Sequence, residues 1–240
     1  MTTKPKKCRP KFISYLSKFD SNMIKVTLKR VFHELKNPAY LGNMFVFAFK
    51  AKSFKGIVRK VFKDQLSDAF MHLEESEKYL TEKDNYYKFL FTLVRVFKPE
   101  KIVETGVKYG YSSQAILQAM ELNDKGHLYS IDLSSPNCGQ IGGAVPESLH
   151  KRWKFISGDA AEHLLPLLEE AGTIDFFLHD SLHTFKHMSF EFSASWPYIK
   201  KNGFLISHDI HWNRAFRIFA AKKEFSVLNF NIGIIRKQCD

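Results

Sequence analysis

The chain has 240 residues, of which 45% are hydrophobic, and its formal net charge is +11. This length and apolar content allow a full hydrophobic core in one domain with an appendage, or in two small domains, and they exclude a predominantly disordered chain. Three widely separated cysteines exclude a disulfide framework and favour a reducing, cytoplasmic location. The positive charge favours an anionic partner, which could be nucleic acid, a phospholipid surface or an acidic substrate.

The first 63 residues carry the basic excess, because their only acidic residues are Asp20 and Glu34. Within them, residues 41–63 mix phenylalanines with cations at loosely helical spacing, as in a basic helix that lies peripherally on an anionic membrane. A helix that packs on the main domain is the alternative, and nucleic-acid binding is disfavoured. The apolar run at 41–49 is far shorter than the roughly 20 residues that span a bilayer, so no transmembrane helix is expected.

A helical pattern follows at 65–97. Thr81 followed by Asp84 resembles a capping box that opens the second of two helices. We therefore divide the chain into a basic helical N-terminal extension at 1–80 and a second domain at 81–240.

Beyond residue 99, short apolar runs alternate with helical stretches, which predicts an α/β domain with a parallel sheet. Two final apolar runs, within residues 224–237, lie almost back to back and predict an antiparallel pair. The strand-like runs of the alternating part are KIVET, HLYSID, WKFIS, IDFFLHD and FLISHD.

The segment IVETGVKYGYSSQAI at 102–116 has the pattern of a strand, a glycine turn and a helix. Glu104 lies at the strand end, and Gly106 and Gly110 bracket the turn. Ser112 is the expected N-cap of the helix. Such a turn lets the backbone and the helix N–H groups approach a ligand, which indicates a nucleotide-like cofactor. An ordinary connection is the alternative, and the absence of GxGxxG disfavours a dinucleotide.

An acidic residue stands at or just beyond the end of each strand of the alternating part. Ligands of open doubly wound sheets bind outside these strand ends. Asp132 has the position from which a carboxylate accepts hydrogen bonds from ribose hydroxyls. Asp159 has the alternative role of N-cap for the next helix. The five acids are Glu104, Asp132, Asp159, Asp180 and Asp209.

Five segments in order resemble motifs of the class I S-adenosylmethionine-dependent methyltransferases, in the methyltransferase-24-like branch. The resemblance covers about 100–236. It implies an α/β fold with a Rossmann-like, seven-stranded, mostly parallel sheet, helices on both faces and an antiparallel last strand. The segments are VETGVKYGYSS, LYSIDL, ISGDAAEHLLP, FFLHDSLHTFKHMSFEF and FLISHDIHWNRAF.

The resemblance implies a cofactor, S-adenosyl-L-methionine, and its binding residues. Glu104, Gly106 and Gly110 would form the loop near its methionine part, with Ser112 at the start of the helix. Many relatives have a glycine where this chain has Lys108. The loop is therefore expected to differ in its detailed shape from the loop of those relatives.

The same resemblance places the nucleoside part of the cofactor further along the strand ends. Asp132 would bind the ribose hydroxyls, and Asp159 with Ala160 would face the adenine. Acidic residues suit hydroxyl groups and a sulfonium cation, whereas they would repel a pyrophosphate.

Histidines and acids are concentrated after the fourth and fifth strands. In some related methyltransferases, acidic and amide side chains at these strand ends bind a divalent metal that orients the acceptor. Asp180 and Asp209 match those positions, and Asn213 is a possible third oxygen ligand for Mg²⁺. A departure is that Ile210 follows Asp209 where a second oxygen ligand would be expected.

An acceptor that must lose a proton needs a base. His183 and His211 are the candidates, because histidine titrates near neutral pH, and Asp180 is the candidate orienting partner. His183 and His187 lie four residues apart without an HExxH pattern, so structural roles are favoured over a zinc site.

The sequence thus predicts methyl transfer from S-adenosylmethionine to an oxygen or nitrogen atom of a small molecule or biosynthetic intermediate. One alternative is a non-catalytic module that binds the cofactor or, through residues 1–63, a membrane surface. Another is a hydroxylase-like tailoring enzyme. The acceptor cannot be deduced, because acceptor pockets are built from variable helices and loops.

Overall fold

The computed structural model describes residues 53–133, 141–221, 223, 225–228 and 231–238. Most of the segment predicted to lie on a membrane surface, 41–63, is outside these described residues, so that prediction stays untested. Among the described helices, none has both the length and the apolar content to cross a membrane.

Helices and strands alternate through most of the described chain, as the sequence predicts. A short 3₁₀ turn precedes the third strand and another precedes the fifth. In chain order, the helices are α1 (Ser53–Val61), α2 (Leu66–Tyr79), α3 (Asn85–Phe97), α4 (Tyr111–Leu122), α5 (Ala160–Ala171), α6 (Phe185–Ser195) and α7 (Ala215–Ala220). The strands are β1 (Lys101–Thr105), β2 (His127–Asp132), β3 (Trp153–Ser157), β4 (Ile174–His179), β5 (Ile199–Ser207), β6 (Phe225–Leu228) and β7 (Gly233–Arg236).

The described strands form one sheet in the order β3-β2-β1-β4-β5-β7-β6. Neighbours among β1 to β5 are parallel, whereas β7 runs antiparallel to both β5 and β6. The predicted Rossmann-like, seven-stranded, mostly parallel sheet with a C-terminal antiparallel pair is confirmed. The strand order reverses between β1 and β4, which is where open sheets of this kind bind ligands.

Two cores lie on the two faces of the sheet. β4 is buried along its whole length, and its successive side chains alternate between the faces. Phe176 and Leu178 pack with α1 to α4 on one face. Phe177 packs with α5, α6 and α7 on the other. Burial on both faces explains why the middle of the strand, Phe176 to Leu178, is continuously apolar.

The first described helix is part of the first core. Ile57, Val58 and Val61 of α1 are at most 5% exposed and pack in the same cluster as Phe89 of α3. The amphipathic pattern of 53–61 therefore has a packing explanation.

The predicted capping box between α2 and α3 is wrong. Asp84 is itself the N-cap, because its carboxylate accepts a hydrogen bond from the backbone N–H of Tyr86 at 2.8 Å. Thr81 lies outside the helix, where its hydroxyl accepts a hydrogen bond from the side-chain amide of Gln114 at 2.7 Å. This long-range bond ties the segment before α3 to α4.

The carboxyl ends of the parallel strands meet at one edge of the sheet. Thr105 of β1 is in register with His179 of β4, which is in register with Ser207 of β5. Asp132 of β2 is likewise paired with Ser157 of β3. The residues that follow these positions are therefore brought together, although they are distant in sequence.

Candidate functional site

The turn between β1 and α4 requires glycine at two positions. Gly106 and Gly110 have φ angles of +87° and +88°, which L side chains rarely adopt. A Cβ atom on Gly106 would lie 2.3 Å from the backbone oxygen of Asp180, and one on Gly110 would lie 2.8 Å from the Cα of Gly142. The turn thus packs directly against the loops after β4 and β2.

Lys108 stands where many relatives have a glycine. Its backbone is left-handed, with a φ of +51°. Its backbone therefore takes the region that glycine favours, although the side chain is a lysine. The backbone N–H groups of Val107 and Lys108 donate to Oδ2 of Asp132 at 2.7 and 2.6 Å. Asp132 thus holds the turn in place, a role that its position in the sequence does not reveal.

Glu104 is fully buried beneath the turn. Its two carboxylate oxygens accept hydrogen bonds from the hydroxyls of Ser112, Ser113 and Ser130 at 2.6–2.8 Å. Burial nevertheless outweighs these bonds and raises the pKa of Glu104 to about 7. The prediction that Ser112 is the N-cap of α4 is wrong. The helix begins at Tyr111, and its N-cap residue is Gly110.

Asp159 is the N-cap of α5, which was the alternative considered for it. Its Oδ1 accepts a hydrogen bond from the backbone N–H of Ala161 at 2.8 Å. Ala160 is the first residue of this helix and is buried. The cap does not exclude contact with a ligand, since a carboxylate has further acceptor positions.

Asp180 is the centre of the group of polar side chains beyond β4 and β5. Its Oδ1 lies 3.2 Å from Nδ1 of His208 and 3.6 Å from Nε2 of His183. Burial lowers the pKa of His208, but the hydrogen bond and charge of Asp180 outweigh it, so the net shift is upward. Burial and the neighbouring His179 lower the pKa of His183. At neutral pH His183 is therefore the more suitable proton acceptor.

The other candidates beyond β5 have different surroundings. Asp209 has a φ of +51°, and its Oδ1 lies 3.7 Å from Nδ1 of His211. The amide oxygen of Asn213 accepts a hydrogen bond from the backbone N–H of Ala215 at 2.7 Å, and its amide nitrogen donates to the backbone oxygen of His183 at 3.1 Å. Asn213 therefore links the start of α7 to the loop that carries His183.

No group of three or more His, Cys, Asp or Glu side chains within the described ranges is arranged to hold a metal ion. Asp180 is paired with His208, and the oxygen of Asn213 is hydrogen-bonded at the start of α7. Of the proposed ligands Asp180, Asp209 and Asn213, the first and the last thus each have an oxygen atom engaged in a hydrogen bond.

A buried carboxylate, Glu191 of α6, braces the loop after β4. It accepts hydrogen bonds from Thr105 at 2.6 Å, from Ser181 at 2.8 Å and from the rings of His179 and His187 at 2.5 and 2.8 Å. Burial raises its pKa, but the two histidines prevail and lower it to about 2. His187 is therefore held in a structural network, as the sequence suggested.

A cavity of about 690 Å³ lies between the glycine turn, the start of α3 and the ends of β4 and β5. Of the predicted residues, neither Asp132 nor Asp159 is among the described residues that line it. Those that do line it are Gly106, Ser112, Asp180, His183 and Asp209.

Sequence reasoning missed the aromatic lining of this cavity. Tyr86 and Tyr87 come from the first turn of α3, and Tyr109 and Tyr111 come from the glycine turn and the start of α4. Nothing in the local sequence distinguishes them from core tyrosines. Only the packing of α3 across the turn brings the two pairs together.

Comparison with known proteins finds a similarity in the central part of the chain. Residues 103–210 match a family model described as "Methyltransferase domain". No curated protein sequence matches the chain.

Solved methyltransferase structures share the fold at low sequence identity. The methyltransferase PaMTH1 of Podospora anserina, bound to SAH, is 16% identical with a TM-score of 0.51, and the match covers 72% of this chain and 88% of that one. The O-methyltransferase TomG of Streptomyces achromogenes, in complex with SAM, is 13% identical with a TM-score of 0.53, covering 72% and 90%. MycE, from the mycinamycin pathway and in complex with Mg, SAH and mycinamycin VI, is 18% identical with a TM-score of 0.52, covering 70% and 53%.

Proposed function

We propose that this chain, whose residues 103–210 match a methyltransferase-domain model, transfers a methyl group from S-adenosylmethionine to an oxygen or nitrogen atom of a small molecule. The observation that carries this proposal is the position of the cavity. It joins the glycine turn, which suits a nucleoside-type cofactor, to the strand ends that hold Asp180 and His183. PaMTH1 and TomG, which have the same fold, are described with SAH and SAM.

The glycine turn fits the methionine part of the cofactor. Gly106 and Gly110 let the turn pack closely, and the first residues of α4, Tyr111 and Ser112, line the cavity. Glu104 supports this turn from beneath through Ser112, and we assign it a positioning role.

The nucleoside part is assigned to the neighbouring strand ends. Asp132 uses Oδ2 for both of its hydrogen bonds to the turn, so Oδ1 is the atom that we assign to the ribose hydroxyls. We assign Asp159 and Ala160 to the adenine, because they lie at the next strand end of the sheet.

His183 is the proposed base. When bound, the cofactor supplies an activated methyl group, so the protein has only to align the acceptor and, for a protonated acceptor, to remove a proton. His183 lines the cavity, and its lowered pKa keeps the imidazole neutral at pH 7. Oδ1 of Asp180 lies 3.6 Å from its Nε2, and we assign Asp180 as the residue that positions the ring. His211 is the second candidate, although it is not among the described residues of the cavity lining.

The mechanism that we propose assigns its steps to side chains of the protein, without a metal ion. One oxygen of Asp180 and the oxygen of Asn213 already serve in hydrogen bonds, so a Mg²⁺ ion here would have to share these oxygens or use the other oxygen of Asp180 and the carboxylate of Asp209. MycE is described in complex with Mg, so removal of metal ions is a necessary test of the proposed mechanism. We expect exhaustive treatment with EDTA to leave methyl transfer unchanged.

The proposal is tested by acceptor-dependent release of S-adenosylhomocysteine. The full chain is incubated with S-adenosylmethionine and fractionated small-molecule extracts, with and without EDTA. His183→Gln should lower kcat by about 10²–10⁴, the usual contribution of a general base, and leave cofactor affinity unchanged. His211→Gln is the matched control and should retain most of the activity.

The alternative functions give different results in the same assay. A non-catalytic cofactor-binding module would bind S-adenosylhomocysteine without turnover in any fraction. A hydroxylase-like enzyme would alter the acceptor without releasing S-adenosylhomocysteine. Loss of activity in His211→Gln but not in His183→Gln would exchange the roles of the two histidines.

A further inference from the structure

Five aromatic rings form a continuous row along one wall of the cavity. The ring of His208 stacks on Tyr86 with a centroid distance of 4.2 Å, and Tyr86 lies 5.4 Å from Tyr87. Tyr87 lies 5.8 Å from Tyr111, which lies 6.2 Å from Tyr109. All five residues line the cavity, so the row presents an extended aromatic surface to whatever binds there.

Tyr109, at one end of the row, already contacts a positively charged side chain, Lys108. The Nζ atom of Lys108 lies 5.3 Å from the ring centroid of Tyr109, within the range of a cation–π contact. The ring of Tyr109 is therefore accessible to an ammonium group at cation–π distance.

Carboxylates face the same cavity from two sides. Glu82 and Asp84 stand before α3, and Asp180 and Asp209 stand beyond β4 and β5. Among the described lining residues, Lys108 is the one lysine or arginine. The local excess of negative charge favours cations and disfavours phosphorylated or carboxylate-bearing acceptors, although the chain as a whole is basic.

The hydroxyl of Tyr86 is an independent sign of a missing ligand group. Tyr86 is only 3% exposed, and its hydroxyl oxygen is buried without a hydrogen-bond partner among the described residues. Burial, followed by the charges of Asp180 and Glu104, raises its pKa, so the phenol stays neutral. A buried polar group without a partner is costly, which makes this hydroxyl a site for a polar ligand atom.

We propose that this cavity takes an acceptor bearing a protonated amine on a compact aromatic or apolar body, with the amine recognised by the tyrosine row and the facing carboxylates. The proposal rests on the proposed methyltransferase function and names its acceptor class. The amine is a recognition group and need not be the methylated atom. The oxygen of Tyr86 accepts a hydrogen bond from the ammonium, and the body of the acceptor lies against the aromatic rings.

Three probes with one body separate charge from shape. Tyramine, 2-(4-hydroxyphenyl)ethanol and 3-(4-hydroxyphenyl)propionate share a hydroxyphenyl-ethyl skeleton and carry a positive, a neutral and a negative end group. Each is titrated by calorimetry into the full chain saturated with S-adenosylhomocysteine, at neutral pH and low salt. We expect tyramine to bind at least about tenfold more tightly than the carboxylate, with the alcohol between them.

Two pairs of variants assign the preference to the cavity. Asp84→Asn removes a charge but keeps an oxygen suitable for capping α3, and it should reduce the preference for tyramine over the alcohol several-fold. Glu162→Gln, on the exposed face of α5, removes the same charge outside the cavity and should leave the preference unchanged. Tyr86→Phe should weaken tyramine binding several-fold, whereas Tyr79→Phe in α2 should not.

The outcomes separate the two proposals. Failure of S-adenosylhomocysteine to bind would overturn the methyltransferase function, and the acceptor class would fall with it. If S-adenosylhomocysteine binds, the acceptor proposal alone is overturned by equal or tighter binding of the alcohol or the carboxylate, or by binding of none of the three probes. A tyramine preference that survives both Asp84→Asn and Tyr86→Phe would also contradict it.

Discussion

Glu104 shows at the scale of one residue how the glycine turn is supported. The sequence places it at the end of β1, where it resembles a ligand for the cofactor. In the structure it is buried, and three serine hydroxyls hold its carboxylate. Because burial raises its pKa to about 7, the folded protein binds a proton there that the unfolded chain releases near pH 4.5.

The first prediction follows from the sign of this shift. The contribution of Glu104 to the free energy of unfolding is fully present below pH 4.5 and is lost as the pH rises through about 7, a change of about 3 kcal/mol. Glu104→Gln should remove this pH dependence, so that the difference in unfolding free energy between wild type and variant shrinks or reverses from pH 5 to pH 8. Urea unfolding at both pH values measures it.

The exposed residue Glu162 provides the control for this experiment. Glu162→Gln should change the free energy of unfolding equally at pH 5 and pH 8. If the stability of the wild type relative to Glu104→Gln stays the same or rises from pH 5 to pH 8, Glu104 is ionised in the folded state at both pH values and the prediction is refuted.

The second prediction concerns Asp132. Its carboxylate holds the turn through two backbone N–H groups and is assigned to the ribose, and a hydrogen bond to a charged group contributes about 1.5–3 kcal/mol. Asp132→Ala should therefore weaken binding of S-adenosylhomocysteine at least about tenfold in calorimetry. The exposed Asp64→Ala variant should bind as wild type does, and equal affinities of the two variants would refute the role of Asp132.

At the scale of elements, the glycine turn and the loop after β4 pack against each other. Gly106→Ala would place a Cβ atom 2.3 Å from the backbone of Asp180, in addition to the strain of a positive φ. Gly172 also has a positive φ, of +66°, but open space around it. We expect Gly172→Ala to cost about 1–3 kcal/mol of stability and to bind the cofactor normally, whereas Gly106→Ala loses cofactor affinity.

Calorimetry and thermal unfolding of the two variants distinguish strain from contact. Equal loss of cofactor affinity in both would mean that the positive φ alone is responsible. Normal affinity in Gly106→Ala would mean that the turn does not contact the cofactor.

The elements were largely predictable from the sequence, since alternating apolar runs and helical stretches specify a parallel sheet and strand ends collect the polar residues. The N-caps of α3 and α4 were not predictable. The N-cap of α3 is Asp84 rather than Thr81, and the N-cap of α4 is Gly110 rather than Ser112. Tertiary bonds decided both cases, because Thr81 is engaged by Gln114 and Ser112 by Glu104. Local patterns do not contain such long-range partners.

At the scale of the whole molecule, the N-terminal helix of the described chain belongs to the core. Ile57, Val58, Val61 and Phe62 are each at most 5% exposed. Burial of four such side chains contributes roughly 6–12 kcal/mol, which is comparable to the entire stability of a domain.

We therefore predict different results for two truncations. A chain that begins at Ser53 should fold and bind S-adenosylhomocysteine with wild-type affinity, since the assigned cofactor residues lie between 104 and 160. A chain that begins at Gln65 lacks α1 and should unfold or melt at a much lower temperature. Thermal unfolding and calorimetry test both, and a stable, binding-competent chain from Gln65 would contradict the assigned role of α1.

The central claim is that this molecule binds the methyl donor, and calorimetric titration of the full wild-type chain with S-adenosylhomocysteine tests it most directly. Saturable binding with one site per chain is predicted, without competition from NAD, because the turn between Gly106 and Gly110 lacks the GxGxxG pattern. Absence of binding by folded protein, or displacement of S-adenosylhomocysteine by NAD, would contradict the account.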